Sequence, residues 1–379
     1  DAQCGYPIML LCIIALIAPS QTISTPLPPG TVVISTVTEL RAALSNTNID
    51  EIWLQPGNYK LTDSPGGELT IDNRHVNVTA LEAGTVTLDA GGASRVLSIT
   101  GGSDAVLSGL GITNGMASKG GGIFVDYQAT AIITDCDIHG NSAVAEGGGI
   151  YVGNPNPNQQ QSGTTTVTNC KIHGNIASSE SDGKGGGIRV HKGTATITNC
   201  YIYDNTANHG GGINVQSGPA TITNCDIHDN LAALYGGGIF AGGSTIITNC
   251  DIHDNLVQVS SGGGIVSWDG EATITNCNVH DNTAVYGGGI DVQHARARIT
   301  NCYIYDNTAN WGGGIYVYSA TATITNCNIH GNTANSIKDP WGFSYAGLGG
   351  GIYVYSSDAT VCMYYTVLEG TTVGVDQAS

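Results

Sequence analysis

The sequence predicts an all-β chain wound as a right-handed parallel β-helix, a solenoid with three short strands in each coil of about 25 residues. Three observations carry this. The first is a period: the Asn-Cys steps at Cys200, Cys225, Cys250, Cys277, Cys302 and Cys327 are spaced by 25, 25, 27, 25 and 25 residues. A repeat of that size with no helical pattern inside it can bury its apolar side only against its neighbours. The second is a two-residue alternation, as in Ala195-Thr196-Ile197-Thr198, which puts apolar side chains on one face of a strand and threonines on the other. The third is recurrent turn chemistry. Gly-Gly-Gly-Ile occurs nine times, ending at Ile123, Ile150, Ile188, Ile213, Ile239, Ile265, Ile290, Ile315 and Ile352.

The coil at residues 194–215 shows how the elements follow one another. Ala195 and Ile197 point inward. Cys200 and Ile202 form a second inward pair whose parity has slipped by one, so the chain turns near Asn199. Asparagine tolerates left-handed dihedrals, and its amide can hydrogen-bond to its equivalent one coil away. Asn205 is expected to turn the chain again. Residues 210–212 then bend it and allow close backbone approach before Ile213 and Val215 come inward as the third strand. Two asparagine columns result, one from Asn169 to Asn326 (with Asp135 in the first coil) and one from Asn141 to Asn332. A left-handed β-helix would need shorter hexapeptide steps and a leucine-rich repeat its leucines; both are absent.

Of 379 residues, 55 are glycine, and 12 Lys and Arg face 30 Asp and Glu, a formal charge of -18. That balance repels nucleic acid and anionic membranes, so no nucleic-acid partner is expected. Nine of the eleven cysteines recur once per repeat at one position. Stacked strands would hold them about 4.8 Å apart with parallel side-chain directions, poor geometry for bridging. Buried free thiols are the expectation, with scattered disulfides between coils the alternative.

In chain order, residues 1–25 form an apolar, signal-like segment and linker. Residues 8–18 carry no charge and are too short to span a bilayer. With neither Met nor a basic residue ahead of it, this start is expected to be a truncated leader. Residues 26–114 read as an N-terminal cap and irregular first coils, in which a short helix from Thr38 to Ser45 covers the open end of the stack. Regular coils fill residues 115–370 and a tail follows at residues 371–379, with more protein expected beyond it. Two long spacings mark insertions, at residues 154–163 with 178–184 and at residues 336–348; insertions in a solenoid emerge as surface loops where binding concentrates. Asn77-Val78-Thr79 is an N-glycosylation sequon.

The N-terminal text (VTELRAAL…DEIWLQPGNYKL), followed by GLGITNG and the recurrent GGGI, resembles the pectin-lyase-like superfamily of right-handed β-helices. More narrowly, the repeats are similar to those of chlamydial polymorphic outer membrane proteins and related surface adhesins. Residues 147–150 match the Gly-Gly-Ala-Ile motif of those repeats in a glycine-rich form, while residues 200–205 match Phe-x-x-Asn only loosely, with Ile202 in the Phe place. The resemblance covers about residues 31–370. It implies secretion and a surface or matrix role.

Enzymes of the pectin-lyase-like class cluster Asp with Arg or Lys on one exterior strand, often with calcium. The strand after the glycines is expected to expose Phe124, Tyr151, Arg189, Asn214, Phe240, Val266, Asp291, Tyr316 and Tyr353, with a single carboxylate among them. The paired carboxylates of a glycosidase are therefore not visible. Basic candidates are Arg189 with Lys171 and Lys192, and Arg298 with Arg296 near Asp291 and His294; if the chain is an enzyme, Arg189, Asp291 and Arg298 are the catalytic candidates. The aromatics of that strand, with Tyr318, Tyr355, Trp311 and Trp341, could stack on sugars.

A His or Tyr column (His139, His173, Tyr203, His228, His253, His280, Tyr305, His330) runs beside Asp204, Asp229, Asp254, Asp281 and Asp306. Those five carboxylates are expected to form a solvated acidic edge, with weak calcium binding as the alternative. No other cofactor is expected. Outward pairs such as Thr196/Thr198 and Thr221/Thr223 form an array that resembles the ice-binding face of some β-solenoids, interrupted at Ile246 and Arg298. The overall expectation is a non-catalytic, secreted or cell-surface adhesive β-helix without a stable transmembrane span. Its expected partners are an extracellular glycan or a cell-surface protein, with end-to-end or lateral self-association open. The alternatives are a polysaccharide lyase or glycoside hydrolase acting on an acidic or algal or plant polysaccharide, and an ice-binding protein.

Overall fold

A computed structural model describes residues 31–153, 163–179, 182–338, 344–345, 347–369 and 372–376. The apolar segment at residues 8–18, Cys4, Cys12, Trp341, most of the first insertion and part of the second lie outside the described residues. Three long parallel sheets run the length of the stack, of thirteen, twelve and twelve strands among the described residues. The threonine sheet runs from Thr31–Ile34 to Thr360–Tyr364. The histidine sheet runs from Gly57–Lys60 to Val367–Glu369, and the third from Leu69–Asp72 to Val373–Asp376. Equivalent residues pair in strict register, Ala195 with Ala220, Ile202 with Ile227 and Ile213 with Ile239. One continuous core fills the interior with these side chains.

The structure adds a fourth element to the expected three. A ridge of short strands, from Met116–Lys119 to Leu256–Val257, leaves the histidine sheet and returns through the glycine triplet to the third sheet. The triplet explains itself at residues 210–212. Gly210 has φ +65°, where a side chain is strained. A Cβ on Gly211 would lie 2.6 Å from the Leu231 carbonyl oxygen of the next coil, and one on Gly212 would lie 3.1 Å from the Asn230 amide nitrogen. Backbone packs directly on backbone here, which only glycine permits.

Both turns are set by left-handed residues, and the second is not where the asparagine spacing put it. Asn199, Asn224 and Asn249 have φ between 52° and 54° as expected, but at the second turn the left-handed residue is Asp204 (φ 54°), not Asn205. Gly140, Gly174 and Gly331 take the aspartate's place in other coils at φ 60–64°. The position alternates between Asp and Gly because these are among the few residues that tolerate that conformation.

Asn205 turns inward instead. The column Asn141, Asn175, Asn205, Asn230, Asn255, Asn282, Asn307 and Asn332 is buried. Asn230 shows the pattern: its Nδ2 donates to Asn255 Oδ1 (3.0 Å), Ile202 O (2.8 Å) and His228 O (2.9 Å), while its backbone N–H also donates to Asn255 Oδ1 (3.1 Å). Its own Oδ1 accepts the same two bonds from Asn205. Every polar atom of the amide is used, which is what allows it to be dry.

Eight cysteines, Cys136 to Cys327, are buried free thiols, and Cys362 is free and half-buried. Each inner thiol donates to a carbonyl two residues back, as Cys225 Sγ does to Thr223 O at 3.3 Å. Helix α1, Val37–Ser45, caps the open end as expected and buries Val37, Leu40, Ala43 and Leu44. Thr36 and Glu39 form a reciprocal capping box at its start. At its other end Arg74, from a different coil, donates to the carbonyls of Ala43 (3.2 Å), Leu44 (2.6 Å), Asn46 (3.1 Å) and Ile49, doing the work of the basic residue that the last turn lacks.

Asn230→Ala should cost about 3 kcal/mol, because it orphans two Asn205 donors and the Ile202 carbonyl in a dry interior. Asn224→Gly, in the exposed column and still able to adopt its turn, should cost under about 1 kcal/mol. Urea unfolding of the two variants measures the difference, and equal costs would contradict the ladder's role.

Candidate binding groove

The ridge changes the fate of the strand after the glycines. Its outward column, expected to be exposed, is roofed by the ridge: Tyr151, Arg189, Val266 and Asp291 are at 0 % exposure, Asn214 at 1 %, Tyr353 at 3 % and Tyr316 at 6 %. What remains open is a groove parallel to the solenoid axis. One wall is the last residue of each ridge strand, in register as Lys119, Glu146, Lys184, His209, Tyr235, Ser261, Tyr286, Trp311 and Leu348. The floor is the next outward column of the third sheet, including His191, Gln216, Gly242, Trp268, Gln293, Tyr318 and Tyr355. The wall was legible as the residue preceding each Gly-Gly-Gly, but nothing in the spacing says that this residue folds back over the strand that follows.

The catalytic candidates do not come together. Arg298 lies on the outer face of the threonine sheet, 66 % exposed, with its Nε 3.6 Å from Glu271 Oε1. Asp291 lies beneath the ridge on a different sheet. Its proximity in sequence to Arg298 is lost because the chain turns between the two strands, at His294 (φ 50°). Burial pushes the Asp291 carboxyl up to about 7, against hydrogen bonds from Ser261 and Gln293. Its Oδ2 accepts from Gln293 Nε2 at 2.6 Å, and its Oδ1 has no partner.

Arg189 is enclosed as well. Its Nη1 donates to Asn214 Oδ1, its Nη2 to Gln216 Oε1 at 2.5 Å, and its Nε lies 3.5 Å from Glu146 Oε2. Burial pushes Glu146 up, but the charges of Arg189 and then Lys119 hold it below the usual carboxylate range. His191 sits 3.4 Å from the Tyr151 hydroxyl and is pulled down to about 4 by burial and then by Arg189. A neutral imidazole, a buried guanidinium and an ionised glutamate thus form a closed network. Neighbouring aromatic faces are already covered, Phe124 by Arg95 at 4.8 Å and Tyr151 by Lys119 at 5.2 Å.

Beyond Arg189 the groove opens. His209 stacks on Tyr235 (5.3 Å), which meets Trp268 edge-on (5.0 Å). Rings continue through His294, Tyr318 and Tyr355, and along the wall through Tyr286 and Trp311. Between His209, Tyr235, Gln216 and Trp268 lies a cavity of about 370 Å³, left open where Gly242 contributes no side chain to the floor.

The histidine sheet carries a separate surface. Its His and Tyr rings stack in parallel from His139 to His330 with centroids 4.6–5.2 Å apart. The acidic column meets these rings: Asp229, Asp254 and Asp281 lie 2.8, 2.8 and 2.7 Å from the Nδ1 atoms of His228, His253 and His280. The expected solvated edge is thus in part a ladder of His–Asp hydrogen bonds, set by the left-handed turn that holds each aspartate beside the preceding ring. Among the described residues no group of three or more His, Cys, Asp and Glu is placed to hold a metal ion. Asp204 and Asp306 occupy the same turn beside Tyr203 and Tyr305. On the threonine sheet, Thr134, Thr168, Thr198, Thr223, Thr248, Thr275, Thr300 and Thr325 form an unbroken outward column, and the parallel column is interrupted by Ile246 and Arg298.

A sequence model described as a right-handed β-helix region matches residues 158–266 and 263–378, together more than half of the chain. The chain belongs to this right-handed β-helix family. No curated protein matches the sequence. Among solved structures, the A-module of mannuronan C-5 epimerase AlgE4 from Azotobacter vinelandii is similar with a TM-score of 0.52 at 11 % identity, over 91 % of this chain and 100 % of that one. Dettilon tailspike protein gives 0.55 at 15 % identity, over 93 % and 66 %. Tailspike protein 3 of bacteriophage CBA120 gives 0.53 at 11 %, over 90 % and 56 %. At such identities the likeness establishes the β-helix fold alone. Among the described residues no helix is long and apolar enough to cross a membrane.

The two histidine environments predict opposite pH effects. Burial pulls His253 down, but the Asp254 hydrogen bond and the charges of Asp226, Asp251 and Asp254 outweigh it and raise its pKa. Its contribution is therefore complete below the unfolded value of 6.5 and lost as pH rises through the higher folded value. His191, depressed to about 4, contributes stability above 6.5 that is lost as pH falls towards 4. The melting temperature should rise on acidification towards 6.5 and fall below it. His253→Tyr, which keeps the stacking seen at Tyr203, should flatten the upper limb, and His191→Gln the lower; a profile unchanged in both variants would refute the assignment.

Proposed function

We propose that this protein is a non-catalytic, secreted or cell-surface β-helix that binds a glycan along the groove between its ridge and its third sheet. The observation that carries the reading is the run of aromatic rings lining the open half, from His209 and Tyr235 through Trp268 to Tyr318 and Tyr355. A concave, mostly apolar site with a few polar groups is the common form of a ligand site, and flat rings offer a face to the C–H side of a sugar. The rings rise one coil at a time, about 4.8 Å per step, so an extended glycan parallel to the axis meets a fresh ring with each advance. The similar solved structures include a mannuronan C-5 epimerase module and phage tailspikes, which supports a carbohydrate ligand and an extracellular setting. The non-catalytic reading rests on the enclosure of Arg189 and Asp291 and the remoteness of Arg298. Titration of the intact chain with a panel of plant, algal and bacterial oligosaccharides should quench tryptophan fluorescence. Trp268→Ala or Tyr235→Ala should weaken binding about tenfold or more. Turnover of any bound glycan, lost in Arg189→Ala, would defeat the non-catalytic reading.

The unbroken threonine column favours a second reading, an ice-binding face on the threonine sheet. It would show as thermal hysteresis that Thr198→Tyr and Thr223→Tyr abolish while Trp268→Ala leaves it intact. Unshaped ice growth in the native protein would remove it.

A further inference from the structure

We infer that the groove selects neutral glycans over anionic ones, because Lys184, the described cation that lines its open pocket, is already matched by a carboxylate of the chain itself. The inference rests on the glycan reading above and names the ligand class of the same site.

Asp182 is the residue that decides it. Its Oδ2 lies 2.8 Å from Lys184 Nζ and its Oδ1 3.6 Å from His209 Nε2, so one carboxylate spans both basic groups of the pocket. Burial holds His209 below the ordinary imidazole value, so it is neutral at pH 7; Asp182 opposes this, and Lys184 and Arg189 reinforce it. Arg189, directly beneath, is committed to Glu146, Asn214 and Gln216. At the other lip Asp269 accepts a hydrogen bond from Trp268 Nε1 at 3.0 Å and fixes the indole in place. The described charges lining the pocket are therefore two carboxylates against one ammonium.

A uronate or sulfate entering here would bring a second anion to an ammonium that already has one. It would also approach a chain of net charge -18, whose field disfavours it before contact. A neutral sugar meets neither cost. Its ring stacks on Trp268 or Tyr235, and its hydroxyls find acceptors in Asp182 and Asp269 and the Gln216 amide at the pocket rim. Ionised acceptors bind sugar hydroxyls strongly because the bond is charge-assisted.

The test uses the full chain and two sets of length-matched hexasaccharides, neutral (manno- and gluco-configured) and uronate, each titrated calorimetrically at low and high salt. The native protein should bind a neutral hexasaccharide with an affinity independent of salt and bind the uronate at least about tenfold more weakly. Asp182→Asn should raise uronate affinity about tenfold in a salt-sensitive manner, because Lys184 is then unpaired. Adding Lys184→Gln to Asp182→Asn should abolish that gain, because no unpaired ammonium then remains in the pocket. Asp182 is 60 % exposed, so the variant should fold, which circular dichroism checks. Salt-sensitive preference for the uronate by the native chain, or no gain in Asp182→Asn, overturns the selectivity while leaving the glycan reading standing. Absence of binding to either set, with tryptophan fluorescence unmoved, overturns both.

Discussion

Eight asparagines sit where water does not reach, and each must satisfy an amide from the coils on either side of it. Asn230 can do so only if Asn205 lies directly on one side and Asn255 on the other, at the spacing that gives bonds of 3.0–3.1 Å. A slip of one residue in any coil would leave buried donors and acceptors unpaired on both sides, at a cost that a marginally stable fold cannot absorb. The ladder therefore imposes register on the stack, and the third glycine of each triplet, packed against the same amide, imposes the closeness of approach.

Once register is imposed, each surface becomes a set of columns, and the chemistry of a column is the chemistry of one repeat position read down the sequence. Threonine columns give a polar sheet whose charges are few. Imidazole and phenol rings stack at the strand spacing, with carboxylates delivered beside them by a left-handed turn. That turn residue also explains the acidity of the edge: the position admits Asp or Gly for conformational reasons, and Asp brings a charge that the neighbouring histidine answers. A structural demand thus produces an electrostatic feature.

Along the groove the columns change in character from one end of the solenoid to the other. Along its wall the side chain changes from Lys and Glu in the early coils to His, Tyr and Trp in the later ones, and the floor changes with it. In the early half the chain's own cations lie over the aromatic faces and a buried guanidinium ties floor to wall. In the later half the rings face an open cavity. Departure from the repeat, in a molecule whose stability rests on the repeat, is where a ligand-directed role is most economically sought.

Period, alternation and the left-handed tolerance of asparagine were enough to predict the β-helix, the inward cysteines and the outward threonines, because each depends on local geometry repeated at fixed spacing. Asp204 could have been recognised as the turn residue from its exchange with glycine, but the asparagine beside it has the stronger turn propensity and misled the reading. The burial of Arg189 and Asp291 could not be read at all. It depends on a ridge that folds back over the strand following it, and strand alternation states which side of a sheet a residue occupies, not what covers that side. Arg298 and Asp291, seven positions apart, were separated for the same kind of reason: a turn at His294 sends them to different faces. Sequence by itself determined which residues share a column, since that follows from period. Only the tertiary structure decided which columns face one another across the groove, because that depends on the path of the backbone between sheets.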